Sequence, residues 1–386
     1  MTTYYVDGTN GNDSYNGTAA TFTSGSTGPK KTLSGAEAIP VAAGDVVYVR
    51  SGTYRETLTC GVSGTAGNPI TYQGDYTGAI WAGGGVVRVT GSDNDQTATR
   101  ASCITSSGRS FRTFKSFAFD TTSGVLVRII NSGAASFSDW TVQNCTFQTG
   151  TNIALQFNQG AAAQTVSNIT VQGCAFLGGR SDAISFVQAA TETDALSLLV
   201  QNCLFLGNGG SGVNSYQAGG LIIKNSTFVG SQNNAITLTS AGTAKGVVNN
   251  CIFYACAIIA SAALRCNTAG CLTEDYNVFY GNATDRSNVA VGANSKTYPP
   301  LFDTRWFFQL VTAAAANQVV TPFDLSSASR LINLAGTSPT ATDMRGTSAI
   351  GGTREIGALE YDSGLKTQGG SGGAVSISPL RGRLGG

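Results

Sequence analysis

The chain has 386 residues, with 23 Lys+Arg against 22 Asp+Glu, no His and a formal net charge of +1. A charge so near zero gives no field that would recruit DNA, RNA or an anionic membrane, and the lack of His excludes Ser-His and Cys-His nucleophile systems. Charged residues make up only 12% and glycines number 50, which fits many tight turns between polar faces, and no apolar run of about 18 residues occurs that would span a bilayer.

Residues 1–85 carry turn-rich segments: Tyr4-Tyr5-Val6-Asp7-Gly8, Gly11-Asn12-Asp13 and Asn16-Gly17-Thr18. The start has neither a basic region nor an apolar stretch, so no signal peptide is expected in this chain. Ser34-x-x-Glu37 has the capping-box pattern and Pro40 stops the run. The pattern predicts a short helix over residues 33–39, placed as a cap on the open end of the repeat region.

The repeat itself is compact. Asn144-Cys145-Thr146-Phe147 recurs as Gly173-Cys174-Ala175-Phe176, Asn202-Cys203-Leu204-Phe205, Asn225-Ser226-Thr227-Phe228 and Asn250-Cys251-Ile252-Phe253. It fades into Tyr276-Asn277-Val278-Phe279, and Ser116-Phe117-Ala118-Phe119 fits the same frame. Counted at the Cys position (117, 145, 174, 203, 226, 251, 277), the steps are 28, 29, 29, 23, 25 and 26 residues. A period in the twenties marks a solenoid of stacked units.

Within one unit, a β-branched residue stands two before the Asn position: Val142, Val171, Val200, Ile223, Val248. Simple alternation would then turn Cys145 and Phe147 outward. A bend at the Asn position resets the alternation and returns them to the core, and Asn and Gly tolerate the left-handed conformation that such a bend requires. Residues 141–143 and 146–148 read as two short strands around a one-residue corner. A third strand lies eight residues after each Phe, at Leu155, Ile184, Val213 and Ile236, with Phe157, Phe186, Ser215 and Leu238 two further on. Three short strands per turn without helical periodicity give an all-β fold, a right-handed parallel β-helix with Cys, Phe and aliphatic residues stacked in interior rows. The leucine-rich solenoid needs dense Leu at L-x-x-L-x-L spacing, which is missing.

Four of the nine cysteines are explained by this arrangement, while Cys256, Cys266 and Cys271 lack a repeat context. Cys145, Cys174, Cys203 and Cys251 share one interior row, and since Ser226 takes the same slot they are read as small buried hydrophobes. Cys266 and Cys271 are a candidate disulfide pair. The regular coils span residues 86–285, a closing region spans 286–361, and residues 362–386 form a Gly/Ser-rich tail or tether.

Several N-terminal segments resemble the first module of many pectate-lyase-like β-helix proteins. They are Tyr4-Tyr5-Val6-Asp7-Gly8, Pro29-Lys30-Lys31-Thr32-Leu33, Ala43-Gly44-Asp45-Val46-Val47-Tyr48-Val49, Ser51-Gly52-Thr53-Tyr54-Arg55-Glu56 and Gly67-Asn68-Pro69-Ile70-Thr71-Tyr72. Asp343-Met344-Arg345-Gly346 with Glu355-Ile356-Gly357-Ala358-Leu359-Glu360-Tyr361 resembles the closing motif of such proteins and is read as a structural last coil. The superfamily contains lyases, hydrolases, adhesins and phage spikes, so the resemblance implies a fold and not a reaction. Its virion members imply a homotrimeric spike, fibre or capsid-surface protein that contacts glycans and other virion proteins, located on a virion or outside the cell. The alternatives are a lyase or hydrolase of acidic polysaccharide and a bacterial surface adhesin.

Lyase chemistry needs an Arg or Lys base, with a cation to neutralise the acid; hydrolysis needs clustered carboxylates. Arg180-Ser181-Asp182 is the strongest candidate, though its companion motifs are missing, and pairing of Asp182 with Arg180 is the simpler expectation. Glu192 and Asp194 occupy a long loop of the same coil that would form a wall beside a groove. Gln143, Gln172, Gln201, Lys224 and Asn249 form an outward row suited to sugar hydroxyls, with Lys224 as its base. No zinc site is expected. Asp7, Asn10, Asn12 and Asp13 are candidate Ca2+ ligands, but they depart from the D-x-D-x-D-G loop, and a turn network is preferred.

Overall fold

The computed structural model describes residues 1–39, 41–131, 136–148, 152–158, 166–187, 197–216, 220–239, 246–259, 262–302, 329–331, 334–336, 341–343 and 355–358. Three parallel sheets run the length of the solenoid, one of ten strands and two of nine. Sheet I begins at Thr3–Val6, continues through Phe137–Gln143, Val166–Gln172 and Leu198–Gln201, and ends at Leu272–Asp275. Sheet II runs from Gly52–Tyr54 to Val278–Tyr280, and sheet III from Leu58–Cys60 to Arg286–Ser287. Each coil visits the sheets in the order I, II, III. Residues 46–74 already supply strands to all three sheets, so stacking begins well before the repeat is visible in sequence.

The bend between sheets I and II lies where the alternation required it. Ser116, Asn144, Gly173, Asn202, Asn225, Asn250 and Tyr276 all have φ between 46° and 63°. A second left-handed corner closes sheet II two residues after the Phe, at Thr121, Gly178, Gly207, Gly230, Ala255 and Gly281. Between the corners, Phe119, Phe147, Phe176, Phe205, Phe228, Phe253 and Phe279 stand in register. From Phe119 to Phe279 successive ring centroids are 4.4 to 5.3 Å apart. Isolated rings favour offset or edge-on contact; here the strand spacing of about 4.8 Å sets the stack, and burial of each ring contributes about 1.5–3 kcal/mol.

The Cys row is buried and every thiol is free, Cys266 and Cys271 included. Cys145, Cys174, Cys203 and Cys251 each donate to the carbonyl two residues back across the corner, at 3.2 to 3.4 Å. Ser226 Oγ makes the same bond to Lys224 O at 3.0 Å, which explains why serine fits the slot. Burial pushes the Cys145 and Cys174 thiols well up and that of Cys251 to about 12, so these are inert packing groups.

The helix Leu33–Glu37 packs against the first strands of sheets I and III and buries Leu33 and Ala36. Its start differs from the expected capping box. Thr32 is the N-cap, its hydroxyl accepting from Gly35 N, while Ser34 and Glu37 both point elsewhere. Ser34 Oγ donates to Glu56 Oε2 at 2.7 Å. Glu37 accepts from Gly61 N and the Tyr72 hydroxyl and pairs with Arg112, which is fully buried in an inward position of sheet I and also donates to Val62 O. The far end mirrors this. Glu274, buried at the end of the same inward file as Tyr72, receives Arg286, Asn277 Nδ2, Gly292 N and Ser295 Oγ.

The described parts of residues 298–358 return along the flank. Gly336 N donates to Asn250 Oδ1 and Asn202 Nδ2 to Thr342 O, at the corners between sheets I and II. Ile356, Ala358, Leu331 and Phe302 lie on the outer side of sheet II against Leu177, Leu204, Val229, Ile252 and Val278. The expected last coil is therefore corrected for Ile356 to Ala358, which belong to this covering segment; Asp343 and Glu355 are buried, and Met344 to Gly346, Leu359 to Tyr361 and the tail 362–386 lie outside the described residues. The reason is legible in the strands: Leu204-Phe205-Leu206 and Ile252-Phe253-Tyr254 are apolar on both faces, and an outward apolar face must be covered.

Candidate functional site

Sheet I carries a polar row along its outer face. One outward row reads Gln73, Lys115, Gln143, Gln172, Gln201, Lys224, Asn249 and Asp275, each in register with the next. At about 4.8 Å per strand, Lys115 and Lys224 stand roughly 19 Å apart with the three glutamines between them. Gln201 Nε2 donates to Gln172 Oε1 at 2.9 Å, so part of the row is already oriented as an amide ladder. A parallel outward row reads Thr71, Thr113, Thr141, Thr170, Leu199, Ile222, Val247 and Thr273. Ile222 is 42% exposed. Hydroxyls, then a short aliphatic strip, thus run beside the amides. The contacts of Gly336 and Thr342 with corners Asn250 and Asn202 border the same face. Glu192 and Asp194 lie outside the described residues.

The candidate acid and base do not meet. Lys224 ends a sheet I strand and is succeeded at once by the corner Asn225, whereas Asp182 precedes the sheet III strand Ile184–Val187. A strand of sheet II separates these positions in every coil. The expected pairing of Asp182 with Arg180 is also corrected: Arg180 is exposed and makes no ion pair among the described residues. Asp182 instead accepts from Ser211 N at 2.7 Å and Asn214 Nδ2 at 2.9 Å, both on the next coil. Gly210 allows that approach, since a Cβ there would lie 2.5 Å from Asp182 Oδ1. Asn214 Oδ1 is buried without a hydrogen-bond partner. Sequence reasoning missed Asn214 because the partner is set by stacking between coils of unequal length.

The N-terminal acidic group is a turn network. Asp7 accepts from Thr9 N, Asn10 N, Asn10 Nδ2 and Arg50; burial opposes its ionisation, but these donors hold its carboxyl below the usual range. Asp13 accepts from Lys31 N, Thr32 N and Thr32 Oγ1, and Asn12 from Ser14. Among the described residues no group of three or more Cys, Asp or Glu is placed to hold a metal ion, and no helix is long and apolar enough to cross a membrane.

The comparisons agree with this architecture. The family of right-handed β-helix regions matches residues 77–258. The structure is similar to that of pectate lyase Pel9A at 17% identity and a TM-score of 0.56, covering 94% of this chain and 97% of that one. It is also similar to the GH136 lacto-N-biosidase from Eubacterium ramulus at 12% identity and a TM-score of 0.51, covering 77% of this chain and 66% of that one. No curated protein sequence matches the chain. The protein has the fold of a right-handed parallel β-helix of pectate-lyase-like architecture.

Proposed function

We propose that this protein is a glycan-contacting structural β-helix, of the kind carried on virions as spikes, fibres or surface proteins, and that an extended polysaccharide lies along the outer face of sheet I. The observation that carries the reading is the in-register row Gln143, Gln172, Gln201 between Lys115 and Lys224. Amides repeated about every 4.8 Å present donors and acceptors along the axis, and the neighbouring Leu199, Ile222 and Val247 offer apolar contact for sugar ring faces. Holding is favoured over cutting because Asp182 is committed to Ser211 and Asn214 on another face from Lys224. A glycan ligand is in keeping with the names of the similar structures, a pectate lyase and a lacto-N-biosidase.

The second reading, a polysaccharide lyase or hydrolase, rests on Lys115 and Lys224 as the bases of that row. Titration of the full chain with a panel of neutral and uronate polysaccharides, with product absorbance monitored in parallel, separates the two. Binding without bond cleavage supports the structural reading. Unsaturated or reducing products that disappear in Lys224→Ala would replace it with the enzyme. Light scattering of the full chain and of a version ending at residue 361 tests the virion part: a homotrimer is expected, and a monomer in both counts against it.

A further inference from the structure

The N-terminal cap is fastened differently from the coils it closes. Neighbouring coils are joined by backbone ladders, which do not titrate. The cap helix Leu33–Glu37 spans five residues, too short to be stable by itself, and its buried residues are Leu33 and Ala36. Its place therefore depends on polar anchors, and these are carboxylates. Asp13 accepts from Lys31 N, Thr32 N and Thr32 Oγ1 at 2.8 to 3.0 Å. Gly35 makes room for it, since a Cβ there would lie 2.1 Å from Asp13 Oδ1. Glu56 accepts from Leu33 N, Ser34 N and Ser34 Oγ at 2.7 to 2.9 Å. The helix's own Glu37 accepts from Gly61 N at 2.7 Å and from the Tyr72 hydroxyl at 2.6 Å, and pairs with Arg112. Among the described residues, the one other bond from the helix to the solenoid is Ser34 Oγ to Thr57 O at 3.3 Å.

An ionised carboxylate is acceptor-only and serves several donors at once; protonation turns one of its oxygens into a donor that faces the N–H and O–H groups it had received. The titratable and charged groups around the anchors are few. Arg112 and Tyr72 from sheet I face Glu37, and Cys60 from sheet III lies near it, its thiol pushed up to about 12 by burial. Glu56 faces Tyr54, as do Asp7 and Arg50. Lys30 Nζ donates to Asp13 O, and Tyr4 stands on the sheet I strand packed against the helix. Of these residue types, the carboxylic acids are the ones that titrate in acid. The chain on either side is held independently of them: Lys30 N donates to Tyr5 O and Asp7 N to Lys30 O before the helix, and Val46 N to Thr2 O after it.

We propose that the N-terminal cap is an acid-released latch: protonation of Asp13, Glu56 and Glu37 frees residues 31–39 from the end of the solenoid while the stacked coils stay folded. Release uncovers the strand Leu58–Cys60, the terminal strand of sheet III, against which the helix packs. The direction follows from the carboxylates. Burial opposes ionisation of Glu37, but Arg112 outweighs it and holds the carboxyl below its ordinary value, so this anchor is complete at neutral pH and is lost as pH falls through the lowered value. The latch stands on its own observations and does not depend on whether sheet I binds a glycan.

The test is hydrogen–deuterium exchange of the full chain across an acid titration from neutral pH, read by mass spectrometry and corrected for the intrinsic exchange rate at each pH. It is run on the wild type and on D13N/E56Q, which removes two of the three anchors and leaves the buried pair of Glu37 and Arg112 intact. In the wild type, protection of residues 31–39 is expected to fall at least about tenfold in acid, because several hydrogen bonds are lost together, while the strands Thr146–Gln148 and Leu204–Asn208 keep theirs. D13N/E56Q is expected to lose that protection at a higher pH than the wild type, with the same strands unchanged. Protection of residues 31–39 that persists until the strands open in the same step would overturn the proposal. So would a D13N/E56Q profile that coincides with the wild type. If D13N/E56Q does not fold, the wild-type titration decides alone, since release of the cap before the strands is what the latch requires.

Discussion

Sheets I and II are made by the same coils and are joined by the same one-residue corners, yet their outer faces have opposite fates. Sheet I presents glutamine and threonine rows in which Ile222 is the most exposed large apolar residue. Sheet II presents Leu177, Leu204, Val229, Ile252 and Val278, all buried because Ile356, Ala358, Leu331 and Phe302 lie over them. A solenoid wall has no intrinsic outside: over sheet II the apolar outward positions are covered by the chain itself, whereas over sheet I the glutamine row stays partly exposed. That contrast directs the functional reading to sheet I rather than sheet II.

The contrast breaks most severely by removing the cover. A version ending at residue 297 exposes the lower outer face of sheet II and is expected to associate beyond the state of the full chain, as read by light scattering. Unchanged mass and melting temperature would show that the cover contributes nothing. Within the full chain, Ile356→Ala is expected to cost about 2–5 kcal/mol in urea unfolding.

A loss of similar size is expected at the buried end pair, which carries no ligand face. Glu37→Ala leaves the fully buried Arg112 without its carboxylate, a change that costs about 3–5 kcal/mol. Burial opposes ionisation of Glu37, but Arg112 outweighs it and holds the carboxyl below its ordinary value. Its contribution is therefore complete above the unfolded glutamate value of about 4.3, and it is lost as pH falls from there through the lowered folded value. Acid unfolding of Glu37→Gln should accordingly show a smaller loss of stability over that window than the wild type.

Smaller effects sharpen the other side. Cys203→Ser should cost about 1 kcal/mol or less, because Ser226 already makes the bond that the slot offers. Gln172→Leu, placing on sheet I the residue type that sheet II buries, should change stability by no more than about 0.5 kcal/mol; a loss of several kcal/mol would mean that the face is not open.

Much of the fold was legible because parallel stacking repeats one local solution. The Asn-Cys-x-Phe frame fixed the corner, the interior Cys and Phe files and the third strand, and each appears where the alternation demands. The second corner was missed although Gly178, Gly207, Gly230 and Gly281 stand two residues after the Phe. The cover over sheet II was also visible in retrospect, since Leu204-Phe205-Leu206 is apolar throughout. Arg112 and Glu37 were not legible: their pairing joins residues 75 apart in sequence, and a charged residue in an inward slot, as at Arg112 and Glu274, contradicts the apolar alternation that located the core rows of the repeat. The candidate site shows the same limit. The glutamine row was readable from period alone, whereas the partners of Asp182 depend on which coil positions become neighbours.

The most direct test is a binding isotherm for the best glycan of the panel, measured on the wild type and on the Gln143→Ala/Gln172→Ala/Gln201→Ala variant with melting temperatures taken alongside. Each lost hydrogen bond is worth about 0.5–1.5 kcal/mol, so affinity should fall at least tenfold while the melting temperature stays put. Equal affinity of the two proteins, or a wild type that binds no glycan, would contradict sheet I as the binding face.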